Sequence, residues 1–282
     1  CIRDRLIFLR PEKVFQIACQ NRDSFFFFRG DLHCGAAAKG GKVGNSLLEE
    51  DKIPYALEMM KKAEEWGVHL AADDEDLCAK SDIILLAVKP QNAAEALAMC
   101  KKALDGKSMM SIVAGVTVER LRAMINGTPR ILRLLPNTPA MVFEGAFAIC
   151  SDNDFLPEDL EIAKSIYSAI GIIEMVPEHL IDAACALNGG GPAFVAMFIE
   201  AMADGGVKQG LPRATSYRLA AQTCLGTAKM ILEKGIHPGE LKDMVTSPGG
   251  TTIEGCEALE RGGMRGAVID CINKAAEKSK KL

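Results

Sequence analysis

Between about residue 55 and residue 175, apolar runs of strand length alternate with amphipathic stretches at helical spacing, and beyond residue 178 runs of strand type stop. A strand that is apolar along its whole length must be covered on both faces, so this alternation predicts parallel α/β units. "ALEMMKKAEEWGV" (56–68) has the helical period, with charges between its apolar positions. "DIILLAVKP" (82–90) predicts a buried strand that ends at Lys-Pro, because proline cannot donate to a ladder. "SMMSIVAGV" (108–116) predicts the next strand, with Thr117 as N-cap of the helix "VERLRAMI". "RILRLLPNTPA" (130–140) predicts a third strand stopped by two prolines, and "GAFAIC" and "GIIEMV", flanking the helix "PEDLEIAKSIYSAI", are expected to complete the sheet.

The second half reads differently. "AFVAMFIEAMADGGVKQG" (193–210) is apolar except for Glu200, Asp204 and Lys208, which share one narrow stripe, and "SYRLAAQTCLGTAKMILEKG" (216–235) repeats the pattern. Helices this apolar need more cover than a short helical tail can provide, so a second copy of the chain is expected to supply it. The expected fold is an α/β Rossmann-like N-terminal domain over residues 1–177 and an all-α C-terminal dimerisation domain over 178–282.

Composition excludes several function classes. Thirty-three basic against 37 acidic residues leave no basic stripe for a phosphate backbone, so no nucleic-acid partner is expected. The ten cysteines form no CxxC pair or zinc-spaced cluster; they read as small core residues of a cytoplasmic protein, and no metal site is expected. The longest apolar stretches, "IILLAV" and "AFVAMFI", fall short of the roughly 20 residues that span a bilayer, so no membrane partner is expected. His33, His69, His179 and His237 lie in no catalytic motif, His237 only opening the helix "HPGEL", and no nucleophile triad or paired-carboxylate site is legible.

Four loops could carry chemistry: "AVKPQ", "PNTPA", "LNGGGPAF" and "TSPGGTT". Loops at the carboxyl ends of parallel strands are where open sheets bind ligands. Each loop also has a plainer reading: a strand stop with a solvated Lys89, turn chemistry at Asn137 and Thr138, or a link before a helix with Pro192 at its first position. The glycines of "GGGP", among them Gly190 and Gly191, also clear space for a ligand ring. "TSPGGTT" (246–252) exposes backbone N–H groups and hydroxyls at a helix start, a setting for a carboxylate; its plainer reading is an N-cap by Thr251 or Thr252.

Residues 1–45 are atypical. They contain no GxGxxG and no Walker loop, and "GAAAKGGKVG" (35–44) is the nearest glycine-rich stretch. An altered or shifted start would produce such a pattern. "SLLEEDK" (46–52) can form a short strand that ends with Asp51 or Lys52 where an adenosine ribose would lie.

Taken in order, "AVKPQ", "SIVAGVT", "RLLPNTPA" and the long stretch "ADGGVKQGLPRATSYRLAAQTCLGTAKMILEKGIHPGELKDMVTSPGGTTIEGCEALERGG" resemble the pyrroline-5-carboxylate reductase family. The resemblance covers residues 55–282, roughly four fifths of the chain. It implies a Rossmann domain, a helical domain interlocked into a homodimer that can assemble further, and reduction of the C=N bond of 1-pyrroline-5-carboxylate by NADPH or NADH to give L-proline. It also implies that Val88, Lys89 and Pro90 line the cofactor, with Ala114, Gly115 and Asn137 near the nicotinamide. The substrate carboxylate would lie on Ser247, Gly249, Gly250, Thr251 and Thr252, with Gly190 and Gly191 beside the ring and the Thr252 hydroxyl facing the imine nitrogen as proton donor. The chain departs from the family in its first 45 residues and in "LNGGGPAF" for the usual "LSGSGPAY", so that Asn188, Gly190 and Phe194 replace hydroxyl-bearing positions. Two other readings are a Rossmann dehydrogenase of the 3-hydroxyacid type and a catalytically impaired dimeric homologue without the phosphate loop.

Overall fold

The computed structural model describes residues 74–281 apart from 126, together with positions 54, 57, 58, 61 and 65. The expectations for residues 1–45, Asp51 and Lys52 lie outside the described residues. Positions 57, 58, 61 and 65 are helical, as the pattern over 56–68 requires.

Five strands form one sheet in the order β1 (Ile83–Leu86), β2 (Ser108–Ser111), β3 (Arg130–Leu135), β4 (Gly145–Cys150) and β5 (Gly171–Val176). Helices α1 (Asp74–Lys80), α2 (Ala93–Cys100), α3 (Val118–Met124) and α4 (Pro157–Ser168) alternate with them. β1, β2 and β3 run parallel, and adjacent residues along a strand face opposite cores. Met109 and Ile131 pack with Ile84, Leu97, Leu104 and Leu121 on one face, whereas Met110 and Leu132 pack with Phe147, Ile149, Ala163 and Tyr167 on the other. Each leucine buried in this way contributes roughly 2 kcal/mol. Thr117 caps α3 as expected, its hydroxyl accepting from the Arg120 N–H at 3.2 Å.

Two sequence expectations change. The strand expected over 108–116 keeps its ladder only to Ser111; Ile112 to Ala114 continue into the core as buried irregular chain. β4 runs antiparallel to β3, because only nine residues, 136–144, built around the short turn Thr138–Val142, join them, too few for the crossover a parallel pair needs. In that turn Phe143 adopts a left-handed conformation, φ 65°, anchored by its packing against the second core. β5 returns parallel to β4 after α4.

Of the described cysteines, Cys78, Cys100 and Cys150 are buried thiols, as expected of small core residues, whereas Cys185, Cys224, Cys256 and Cys271 are only partly buried; burial pushes the Cys150 thiol pKa up. Arg133 of β3 is the largest fully buried side chain, 1% exposed. Its guanidinium lies 3.6 Å from Glu178 and 3.3 Å from Asp182 of the short helix α5 (Ile181–Ala184), both from the segment that follows β5. Glu178 Oε1 also accepts the Val118 N–H at 2.7 Å, and Asp182 Oδ1 accepts the Ser279 hydroxyl at 3.0 Å.

By contact the chain forms two compact units, one ending at Gly189 and including Lys278 onward, the other Gly190–Glu277. The second unit is entirely helical. Its α6 (Gly191–Lys208) and α7 (Arg213–Lys234) pack closely, since a Cβ on Gly206 would lie 2.9 Å from the Ser216 hydroxyl. α7 ends at Gly235 in the left-handed region, and His237 Nδ1 accepts the Gly239 N–H at the start of α8 (Pro238–Val245). α9 (Thr251–Arg261) and α10 (Met264–Ser279) follow.

The run Glu178–Lys208 is long and apolar enough, by length and composition, to cross a bilayer. The sequence expectation differs because it counts only uninterrupted apolar residues, and "AFVAMFI" ends at Glu200. Val195, Met197, Phe198 and Met202 of this run are exposed in the isolated chain.

Removing the Arg133 cation leaves two carboxylates facing each other at a buried site. Arg133→Ala is therefore expected to lower stability by about 3 kcal/mol or more, read as a shift of the urea midpoint. An unchanged midpoint would mean that the carboxylates find other partners.

Candidate active site

The register of the parallel strands sets where the loops of the first unit emerge. Leu86 pairs with Ser111 and Ser111 with Arg133, so β1, β2 and β3 send their carboxyl-terminal loops off one edge of the sheet. Val88, Lys89 and Pro90 follow β1, Ala114 and Gly115 follow β2, and Asn137 follows β3; the fold gathers these six residues at that edge. Val88 is half-buried against the first core, and Lys89 is exposed one residue before a short turn that opens with Pro90. Gly115 has φ 70°, a conformation glycine adopts without strain, and its carbonyl accepts from Arg120 at 2.9 Å. Asn137 is 9% exposed, and its Oδ1 accepts the Ala146 N–H at 2.8 Å.

The "LNGGGPAF" segment is not a flexible link. Cys185–Gly189 forms a π-helical turn, Gly190 follows, and α6 starts at Gly191 with Pro192 at its second position. Asn188 Nδ2 donates to the carbonyls of Leu135 and Ala146, at 3.2 and 2.9 Å. Sequence reasoning saw here only a lost hydroxyl; contacts 53 and 42 residues away leave no local signal.

In the second unit, "TSPGGTT" connects α8 to α9. Gly249 has φ 68°, and the Gly250 N–H donates to the Ser247 carbonyl at 3.0 Å, closing a tight turn. That bond commits one of the amides expected to meet an anion, leaving those of Thr251 and Thr252 in the first turn of α9. The N-cap is Gly250, which has no side chain to cap with, so the plainer alternative of an N-cap by Thr251 or Thr252 does not hold. Ser247, Gly249, Thr251 and Thr252 are exposed. A helix start without a side-chain cap, at the positive end of the helix dipole, suits a carboxylate. Thr246 turns back instead, its hydroxyl donating to the carbonyls of Lys242 and Asp243.

No group of three metal-ligating side chains occurs among the described residues. Parallel strand ends with a left-handed glycine and a buried amide at one edge, followed by an all-helical unit, define a Rossmann-type dinucleotide-binding protein with a helical tail. Comparison with known proteins narrows the class. Residues 178–282 match the family model for pyrroline-5-carboxylate reductase dimerisation, and residues 40–115 match that for NADP oxidoreductase, coenzyme F420-dependent. The pyrroline-5-carboxylate reductase of Methanosarcina acetivorans is 42% identical over 264 residues, 90% of this chain and 96% of that protein. That of Escherichia coli is 39% identical over 260 residues, covering 90% and 97%. The crystal structure of the Plasmodium falciparum enzyme with NADP bound superposes with a TM-score of 0.70 at 35% identity, over 76% of this chain and 84% of that one. The Coxiella burnetii enzyme gives 0.74 at 30% identity, over 88% and 92%. The chain belongs to the pyrroline-5-carboxylate reductase family. The two sequence alignments take in more of it than the 55–282 segment on which the motifs lie.

A Cβ on Gly250 would clash with the Ser247 hydroxyl and lie 3.1 Å from the Ser247 carbonyl. Gly250→Ala is thus expected to open the turn and speed hydrogen exchange in a peptide spanning 246–253, with the sheet unchanged. Exchange at the wild-type rate would show that the turn has room for a methyl group.

Proposed function

We infer that the chain catalyses the NAD(P)H-dependent reduction of 1-pyrroline-5-carboxylate to L-proline, the last step of proline biosynthesis. The observation that carries this reading is the 42% identity to a pyrroline-5-carboxylate reductase over 96% of that protein. It favours the imine over the C=O reaction of a 3-hydroxyacid dehydrogenase.

The residues at the carboxyl edge fit a dinucleotide. Lys89 offers a cation for a phosphate, Val88 an apolar side for a ring, and Gly115 a backbone that other residues adopt only with strain. Asn137 offers an amide whose oxygen is already committed to Ala146. We assign Val88, Lys89, Pro90, Ala114, Gly115 and Asn137 to the cofactor, NADPH or NADH. When bound, the reduced nicotinamide supplies two electrons and one hydrogen to the imine carbon.

The chain's own residues then have two tasks. The first is to hold the carboxylate, which we assign to the amides of Thr251 and Thr252 with the Ser247 hydroxyl. The left-handed Gly249 and the close approach at Gly250 shape the turn. Hydrogen bonds to a charged acceptor contribute roughly 1.5–3 kcal/mol each, so two or three fix a small anion. The second task is to hold a proton at the ring nitrogen, which we assign to the Thr252 hydroxyl. Gly190 and Gly191 leave space beside the ring; a Cβ on Gly191 would meet nothing within 4 Å. Reduction of an imine needs no activated nucleophile, which accords with a chain whose histidine His237 is spent on a helix cap.

We propose a homodimer through residues 178–282, supported by the dimerisation model over that segment. That model favours a protein interface rather than a lipid one for the exposed apolar residues Val195, Met197, Phe198 and Met202 of this run. The same model supports a domain boundary at 177/178. We place the enzyme in the cytoplasm, a reading supported by the thiol form of the described cysteines.

Thr252→Ala is expected to lower kcat by at least about tenfold with the fold intact, measured with pyrroline-5-carboxylate and NADPH; wild-type kinetics would remove Thr252 from the mechanism. Turnover of a 3-hydroxyacid alone would overturn the reaction assigned. At Gly115 a side chain would be forced into the left-handed region, and Gly115→Ala is expected to weaken NADPH binding by about tenfold. Fluorescence titration gives the affinity, and an unchanged value would place the cofactor elsewhere.

A further inference from the structure

Asn188 belongs to neither ligand set assigned above, and its hydrogen bonds are neither a cap nor a turn. The β3–β4 ladder stops at the pairs Leu134–Ile149 and Leu135–Ala148. Continued by two residues, that register would place Ala146 opposite Asn137. The strand cannot continue, because Pro136 has no N–H to donate and Asn137 already opens the next turn.

Two asparagine side chains take over where the ladder ends. Asn137 Oδ1 accepts the Ala146 N–H at 2.8 Å, and Asn188 Nδ2 donates to the Ala146 carbonyl at 2.9 Å and to the Leu135 carbonyl at 3.2 Å. Asn188 thereby ties the last residue of β3 to the residue of β4 that holds the Asn137 amide. With Oδ1 committed to Ala146, Nδ2 is the arm of Asn137 that can donate to a ligand. The Asn188 Oδ1 is itself buried without a hydrogen bond, so the residue keeps an unfavourable group inside the fold in order to make its two donor contacts. A serine, usual at this position in the family, is shorter and has a single donor, so it cannot serve both carbonyls.

We propose that Asn188 is a positioning residue for the reductase reaction: through Ala146 it sets the amide of Asn137, and with it the donor that Asn137 presents to the nicotinamide end of the cofactor. The inference rests on the assignment of Asn137 to the cofactor. A double-mutant cycle separates the two claims, with kcat/KM for NADPH measured at saturating pyrroline-5-carboxylate in Asn137→Ala, Asn188→Ala and the double variant, and the melting temperature recorded for each. Asn137→Ala is expected to lower kcat/KM by about tenfold and Asn188→Ala by about fivefold. If Asn188 acts through Asn137, the double variant stays within about twofold of Asn137→Ala alone. A merely structural Asn188 would lower the melting temperature while its kinetic effect multiplied with that of Asn137→Ala, and multiplication overturns the proposal. Wild-type kinetics in Asn137→Ala would instead overturn the cofactor assignment, and the relay with it, leaving the Thr252 site untouched. Should Asn188→Ala fail to fold, Asn188→Ser, which keeps one donor, enters the same cycle with the same non-additivity expected.

Discussion

The buried guanidinium of Arg133 is the constraint from which much of the first unit follows. A cation 1% exposed is unfavourable unless paired, and both its partners, Glu178 and Asp182, come from the segment after β5. The strand that carries Arg133 therefore draws this segment onto the sheet. Glu178 extends the network to the start of α3 through the Val118 N–H, and Asp182 extends it to Ser279 at the end of α10. Four stretches far apart in sequence are fixed by one charge. Six residues beyond Asp182 the same segment delivers Asn188 to the carboxyl end of β3.

β3 is for this reason both a structural and a functional strand. Its side chains alternate between the two cores up to Leu134, with Arg133 set between Leu132 and Leu134. Beyond Leu135 its prolines stop the ladder and release the backbone into the loop that carries Asn137. The level ends of β1, β2 and β3 depend on an unbroken parallel register. A slip of one residue would exchange the two faces of a strand and shift its loop along the edge. Core packing and loop placement are one problem here, solved by the same apolar residues.

Much of this was legible in the sequence because it is local. A strand buried on both faces reads as an apolar run, a proline after it reads as a stop, and Thr117 before "VERLRAMI" reads as a cap; all three need only neighbouring residues. The direction of β4 depends on the length of the connection after β3, which apolar patterning does not report. Strand length was overstated at 108–116 because, after the Ile112 N–H makes the last bond to β1, Val113 and Ala114 are apolar for burial and not for pairing. Asn188 and Arg133 were not legible as a bridge and a clasp, since their partners lie 42 to 53 residues away. In "TSPGGTT" the hydroxyls suggested a capping threonine, yet Gly250 takes the cap position and frees both threonines. A free hydroxyl beside uncapped amides is a stronger pointer to a ligand than a threonine spent on its own helix.

That last contrast bears on how one short turn can serve both parts of the substrate. In 1-pyrroline-5-carboxylate the carbon that bears the carboxylate is bonded directly to the ring nitrogen, so the group to be anchored and the atom to be protonated are near neighbours. Thr251 and Thr252 are also neighbours, at the first two positions of α9. The positive end of the helix dipole favours the carboxylate there. The same field opposes a full positive charge on the nitrogen, so a neutral hydroxyl, able to donate or relay a proton, suits this position better than a lysine or a histidinium would. On the proposed assignment, the use of threonine rather than a cationic acid follows from anchoring an anion and activating an imine on one helix turn.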